Sequence, residues 1–208
     1  MSQPASSPPT ASLPPIVQTG APVLRGAAAD VAPERIHTPE FQDLVKTMID
    51  VMRQAPGVGL AAPQIGIPLR LIVLEDREEF LSNLSPEERA ARGRVSFPTR
   101  VFVNPVLELV GKETATFFEG CLSVAGYVAL VERHLAVEVH GLDEHGEPQG
   151  WRVRGWPARI LQHEVDHING TLYIDRMKTR SFCTTDHAKE HYADKSIAEI
   201  LRLLNIES

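Results

Sequence analysis

Between Thr38 and Pro56, residues Phe41, Leu44, Val45, Met48, Ile49 and Met52 recur at intervals of three and four, the spacing of one buried helical face. Thr38-Pro39 supplies a cap followed by a proline suited to a first turn, and Pro56-Gly57 supplies a stop. An amino-terminal helix is predicted there, its Met and Phe side chains in the core. A second stripe, Ile160, His163, Glu164 and His167, lies between Gly155-Trp156-Pro157 and Asn169-Gly170, which read as helix start and stop. A third, Ile197, Ile200, Leu201 and Leu204, follows capping-box spacing at Ser196 and Glu199 and predicts a carboxy-terminal amphipathic helix. Ser85-Pro86-Glu87-Glu88 opens a short surface helix.

Elsewhere β-branched and aromatic residues gather in short runs punctuated by turn residues. Strands are predicted at Leu69 to Leu74, Arg100 to Val103, Val106 to Val110, Thr114 to Phe118, Tyr127 to Arg133, Leu135 to Leu142, Gln149 to Val153 and Thr171 to Ile174. Glu75 to Arg94 reads as a solvated, charged insertion with nothing catalytic in it. Residues 1–22 are rich in Pro, Ser and Ala, so a disordered tail is predicted before a single domain over 23–208.

Charge and composition narrow the function. The net charge is −6 with scattered basic residues, which gives no footprint for nucleic acid. No apolar run reaches the ~18 to 20 residues of a membrane helix. The first basic residue is Arg25, so neither a secretory nor a transit signal is read at the start, and a cytoplasmic location is expected. Cys121 and Cys183, the two cysteines, are then thiols rather than a disulfide framework.

The chemistry sits on the second stripe. His163 and His167 are four residues apart with Glu164 between them, and His-Glu-x-x-His on a helix places two metal ligands beside a general base. Two core histidines satisfied by neighbours is the competing reading. A catalytic site of this kind takes three protein ligands and keeps one position open. Cys121, beside Gly120 at a strand end, would complete the count. Gly57 to Gly66 is a loop of small residues ending near Gln64, lacking the full phosphate-binding patterns and open to the close approach of another backbone. His187-Ala188-Lys189-Glu190-His191 fits an inverted zinc motif, with Cys183 upstream, but its charged setting reads as exposed. A zinc endopeptidase is the rival reaction. Its metzincin branch would need histidine at Tyr173, whereas a carboxylate ligand farther on, Glu190, stays open.

Taken together, Gly57-Val58-Gly59-Leu60-Ala61-Ala62-Pro63-Gln64, Glu119-Gly120-Cys121-Leu122-Ser123 and Gln162-His163-Glu164-Val165-Asp166-His167 resemble the three motifs of the peptide deformylases, in order. The resemblance runs from about Ile16 through Met177. Gly155 to Ile160 is similar to the organellar-type branch, and Ile168 departs from the family's usual leucine by a nearly isosteric change. The resemblance implies an α+β fold with antiparallel sheets packed around the metal helix, and removal of the formyl group from N-formylmethionine at the start of new polypeptides. It implies that Cys121, His163 and His167 hold one divalent ion, iron(II) in the cell, with zinc, nickel or cobalt in preparations. Glu164 would be the general acid/base for water attacking the formyl carbon. Gln64 and the Leu122 N–H would meet the oxyanion, and Val58, Gly59, Trp156 and Ile160 would contact substrate. Asp166 and Arg133 are candidates to orient the metal ligands. A transient ribosome contact is left open, although Ile197 to Ser208 carries one arginine against two glutamates.

Overall fold

A helix from Trp156 to Ile168 runs through the molecule, and the computed structural model, which describes residues 12–82 and 84–207, sets two antiparallel sheets against it. In chain order the elements are α1 (Pro33–Ile36), α2 (Pro39–Gln54), β1 (Gly59–Ala61), β2 (Leu71–Asp76), α3 (Glu78–Leu81), α4 (Pro86–Arg92), β3 (Phe97–Leu109), β4 (Thr114–Cys121), β5 (Val124–His134), β6 (Ala136–Leu142), β7 (Pro148–Arg154), the central helix α5, α6 (Tyr173–Arg176), β8 (Cys183–Thr184), α7 (Thr185–Tyr192) and α8 (Ile197–Leu203). One sheet has the order β1-β2-β3-β6-β7 and the other β4-β5-β8. The expected α+β class is therefore the observed one.

The apolar patterns explain the layering. The Thr38 hydroxyl accepts the Phe41 N–H at 3.3 Å, and the α2 stripe of Phe41, Val45, Met48 and Met52 packs on Leu60, Leu71, Val73, Val101 and Val103. Strand β2 is buried on both faces. Leu71 and Val73 face α2, while Ile72 and Leu74 join Ala158, Leu161, Val165 and Ile168 of α5. Two-sided burial is why this strand reads as a continuous apolar run rather than an alternation. Both ends of α5 are pinned by close backbone approach. A Cβ at Gly155 would lie 2.6 Å from the Gly93 carbonyl oxygen, and one at Gly170, where φ is +74°, would lie 2.6 Å from that of Arg25.

Several expectations are corrected. Thr171 to Ile174 is not a strand: Asp175 accepts the Leu172 N–H at 2.8 Å, and the chain turns into α6. The two runs predicted at Arg100–Val103 and Val106–Val110 merge into one strand, β3, which ends at Leu109 and carries a register shift around Asn104, whose φ is +52°. Residues 12–22 do not behave as a tail. Leu13 and Ile16 pack on the α2 core and Val17 on a third cluster with Leu24 and Tyr173, while residues 1–11 lie outside the described residues. The insertion is partly buried too: Asp76 has no exposed surface and holds Arg94 through two 2.8 Å bonds. No helix among the described residues is long and apolar enough to cross a membrane.

Gly170→Ala should lower stability by about 2 kcal/mol, because strained φ and collision with the Arg25 carbonyl act together. Gly111, also at φ +74° but with nothing within 4 Å of an added Cβ, serves as the comparison. Urea unfolding of the two alanine variants should show the larger loss at Gly170.

Candidate metal centre and its cleft

Cys121 ends β4, and His163 and His167 stand one turn apart on α5, so that one donor atom from each lies within 4.8 Å of the others. Cys121 Sγ is 3.2 Å from His167 Nε2. His163 Nδ1 faces Glu119 Oε2 at 3.1 Å, which directs its Nε2 away from that carboxylate. Donors this close compete for protons. Burial opposes charge on His163, but hydrogen bonds with Cys121 and Glu119 hold its pKa well above the usual imidazole value; burial and the neighbouring His163 push His167 well below it. One thiol and two imidazoles that can share a cation fit a single zinc, iron or cobalt ion.

Behind the ligands lies a buried network of charge. Glu119, 6% exposed, accepts two 3.0 Å bonds from Arg133 and one of 2.5 Å from Arg159 as well as facing His163. Arg133 also pairs with Asp166, which accepts two 2.7 Å bonds from Arg176. Burial alone would raise the Glu119 carboxyl; its bonds to His163 and Arg133 prevail and hold it far below the carboxylate range. Sequence reading placed Asp166 and Arg133 behind the ligands but overlooked the group that touches His163, which is Glu119. Arg159, four residues before His163 on the same helical face, was a usable signal for a buried partner.

The cleft in front of these ligands has a volume of about 420 Å³. Val58, Gly59, Trp156 and Ile160 line it, as do Gln64, Cys121, Leu122, His163 and Glu164. Gln64, 1% exposed, accepts the Ala61 N–H at 2.9 Å and directs its amide nitrogen to Ser123 Oγ at 3.3 Å and Cys121 Sγ at 3.6 Å. Glu164 is 4% exposed, and its Oε2 has no hydrogen-bond partner among the described residues. Burial raises its pKa to about 7. Gly59 leaves room for that carboxylate, since a Cβ would sit 2.3 Å from Glu164 Oε1 and displace it. The wall also includes residues that sequence reading did not assign: Arg94, from the supposedly inert insertion, Phe118, Tyr127 and Thr185.

The competing clusters do not assemble. His187 and His191 meet with ring centroids 4.2 Å apart and tilted by 51° on α7, a helix without buried residues. Among the described residues, Cys121, His163 and His167 form the one group of three donors placed for a metal ion, and Glu190 is not part of it.

Comparisons with known proteins give the family and the fold. Residues 13–182 match the family model described as polypeptide deformylase. The chain is 51% identical over 176 residues to peptide deformylase 1A, chloroplastic, of Solanum lycopersicum, covering 85% of this chain and 64% of that protein. It is 47% identical over 167 residues to the mitochondrial peptide deformylase of Homo sapiens, covering 80% and 69%. It thus spans about two thirds of these relatives. A crystal structure of class I type b peptide deformylase from Acinetobacter baumannii, bound to Met-Ala-Ser, superposes with a TM-score of 0.72 at 33% identity, over 81% of this chain and 100% of that one.

Glu119→Gln should weaken metal affinity by ten- to hundred-fold, the usual effect of losing a partner that orients a metal histidine. Competition with a chromophoric chelator measures it. Glu119→Ala should in addition cost about 3–5 kcal/mol in urea unfolding, because Arg133 and Arg159 are left buried without their carboxylate.

Proposed function

The chain belongs to the polypeptide deformylase family, and on that footing we propose that it removes the formyl group from N-formylmethionine at the start of newly made polypeptides, releasing formate. The observation that carries this reading is Glu164: a buried carboxyl with one oxygen unpartnered among the described residues, in a cleft lined by Cys121 and His163, whose donor atoms lie within 4.8 Å of one from His167. Those three donors, Cys121, His163 and His167, would hold one divalent ion. When bound, such an ion supplies positive charge that polarises a carbonyl oxygen and acidifies water. Thiolate and imidazole accept iron(II), zinc, nickel and cobalt alike; iron(II) is our choice for the cell, on the sequence resemblance.

Glu164 is the proton carrier. It takes a proton from the attacking water and delivers one to the methionine nitrogen as the C–N bond to the formyl carbon breaks. A carboxyl lifted to about 7 by burial can do both, and a cation beside it favours its charged form. Charge that gathers on the formyl oxygen meets the Gln64 amide and the Leu122 N–H. The peptide lies extended in the cleft. β1 and β4 each stand first in their sheets, so a substrate strand between them finds unpaired backbone on both sides, and Gly57 and Gly59 add no side chains to obstruct it. Val58, Trp156 and Ile160 offer apolar surface for the methionine side chain.

The partner is thus an N-formylmethionyl peptide. For a transient ribosome contact α8 provides little, with Arg202 as its one basic residue. A thiol ligand needs a reducing compartment, and we place the enzyme in the cytoplasm; the chloroplast and mitochondrion of the two relatives named above would serve the same chemistry.

On formyl-Met-Ala-Ser, Gln64→Leu should lose about 10²- to 10³-fold in kcat, and Glu164→Gln at least ~10²-fold, both with metal content intact. Cys121→Ala should lose the ion itself. Formate release and metal analysis on anaerobically prepared protein check all three, and full turnover by the Glu164 variant would end the proton-carrier role.

A further inference from the structure

The two groups assigned to the oxyanion come from separate loops, Gln64 from the turn after β1 and Leu122 from the turn between β4 and β5. Donors of this kind act only when placed to a fraction of an ångström, so their mutual spacing has to be fixed by something. The segment Ile16–Thr19, read from sequence as tail, crosses between the two loops. The Val17 N–H donates to the backbone carbonyl of Gln64 at 2.8 Å, and the Thr19 N–H to that of Ser123 at 2.8 Å. Between them Gln18 turns its amide onto the second loop: Nε2 donates to the Leu122 carbonyl at 3.0 Å and to Ile16 O at 3.2 Å, while Oε1 accepts the Ala125 N–H at 3.3 Å. Val17 packs with Cys121 against one apolar cluster, which seats the crossing.

We propose that Gln18 is a positioning residue for the reaction: with the Val17 and Thr19 backbone bonds it straps the Leu122–Ala125 turn to the Gln64 turn and sets the spacing of the two oxyanion donors. The inference rests on the roles given above to Gln64 and Leu122. Gln18 is exposed, so water replaces its bonds at little cost to stability. Its loss is read in catalysis and in local protection, with the global fold intact.

The test uses Gln18→Leu, which keeps the bulk and removes both side-chain bonds to the turn. On formyl-Met-Ala-Ser the metal-loaded variant should lose about ten-fold in kcat with KM within two-fold. In a Gln64→Leu background the same change should cost at least three-fold less, because spacing between two donors matters less once one is gone. A loss of equal size in both backgrounds, or none in either, overturns the proposal. In metal-free protein the Ala125 amide should exchange at least ten-fold faster in Gln18→Leu than in the parent; unchanged exchange also overturns it. Should Gln64→Leu alone leave kcat intact, the oxyanion reading fails by itself, and the exchange measurement still reports on the strap.

Discussion

One buried carboxylate holds the β4–β5 hairpin against the central helix. Glu119 lies on β4, two residues before Cys121, and is shared by Arg133 from β5, Arg159 from α5 and His163 from α5. A charge in that position without partners would cost several kcal/mol, so the three groups are constrained to stay where they meet. Arg159 also donates to the Val131 and Ala115 carbonyls, which ties α5 to both strands of the β4–β5 hairpin. The sulfur and the imidazoles arrive on different elements, and this network sets the distance between them. Its worth is geometric, since ion clusters of this kind can often be replaced by apolar groups without loss of stability.

How much of this was legible in the chain depended on whether the cause was local. The central helix was, because its stripe and its Gly-Trp-Pro and Asn-Gly borders act within a few residues. The antiparallel strands were largely so, and β2 was found for the wrong-looking reason of an unbroken apolar run. Thr171 to Ile174 misled because Leu172, Tyr173 and Ile174 have strand propensity, while one bond from Asp175 to the Leu172 N–H decides for a helical turn. The segment 12–22 misled for a different reason. Its composition is poor in apolar surface, yet Leu13, Ile16 and Val17 each find a place on a core formed by distant residues.

Site residues divide the same way. Those with a motif lie close together: Cys121, His163, Glu164 and Gln64 line one cleft, and a donor of His167 lies within 4.8 Å of those of Cys121 and His163. Those without one depend on tertiary approach. Arg94 sits in a run of charge that resembles any solvated insertion, and the fully buried Asp76, with the Trp156 ring beneath its guanidinium, holds it at the cleft wall. Thr185 reaches the cleft because β8 pairs with β5 at Tyr127 and Val128, a contact between residues more than fifty positions apart.

The contrast between two glutamates argues for where the chemistry is. Glu119 and Glu164 are both nearly inaccessible and both stand beside His163 in space or sequence. Glu119 has Arg133, Arg159 and His163 turned toward it and is held ionised. Glu164 has an oxygen unpartnered among the described residues, a pKa raised to about 7, and a neighbour, Gly59, where an added Cβ would displace its carboxylate. A fold that satisfies one buried carboxylate several times over had the means to satisfy the other. Leaving Glu164 unsatisfied costs stability, and such exceptions to complete pairing are expected where a group must change its protonation state during a reaction. Glu119 and Glu164 are told apart by what surrounds them, and the proposed function gives the proton-carrying role to the second.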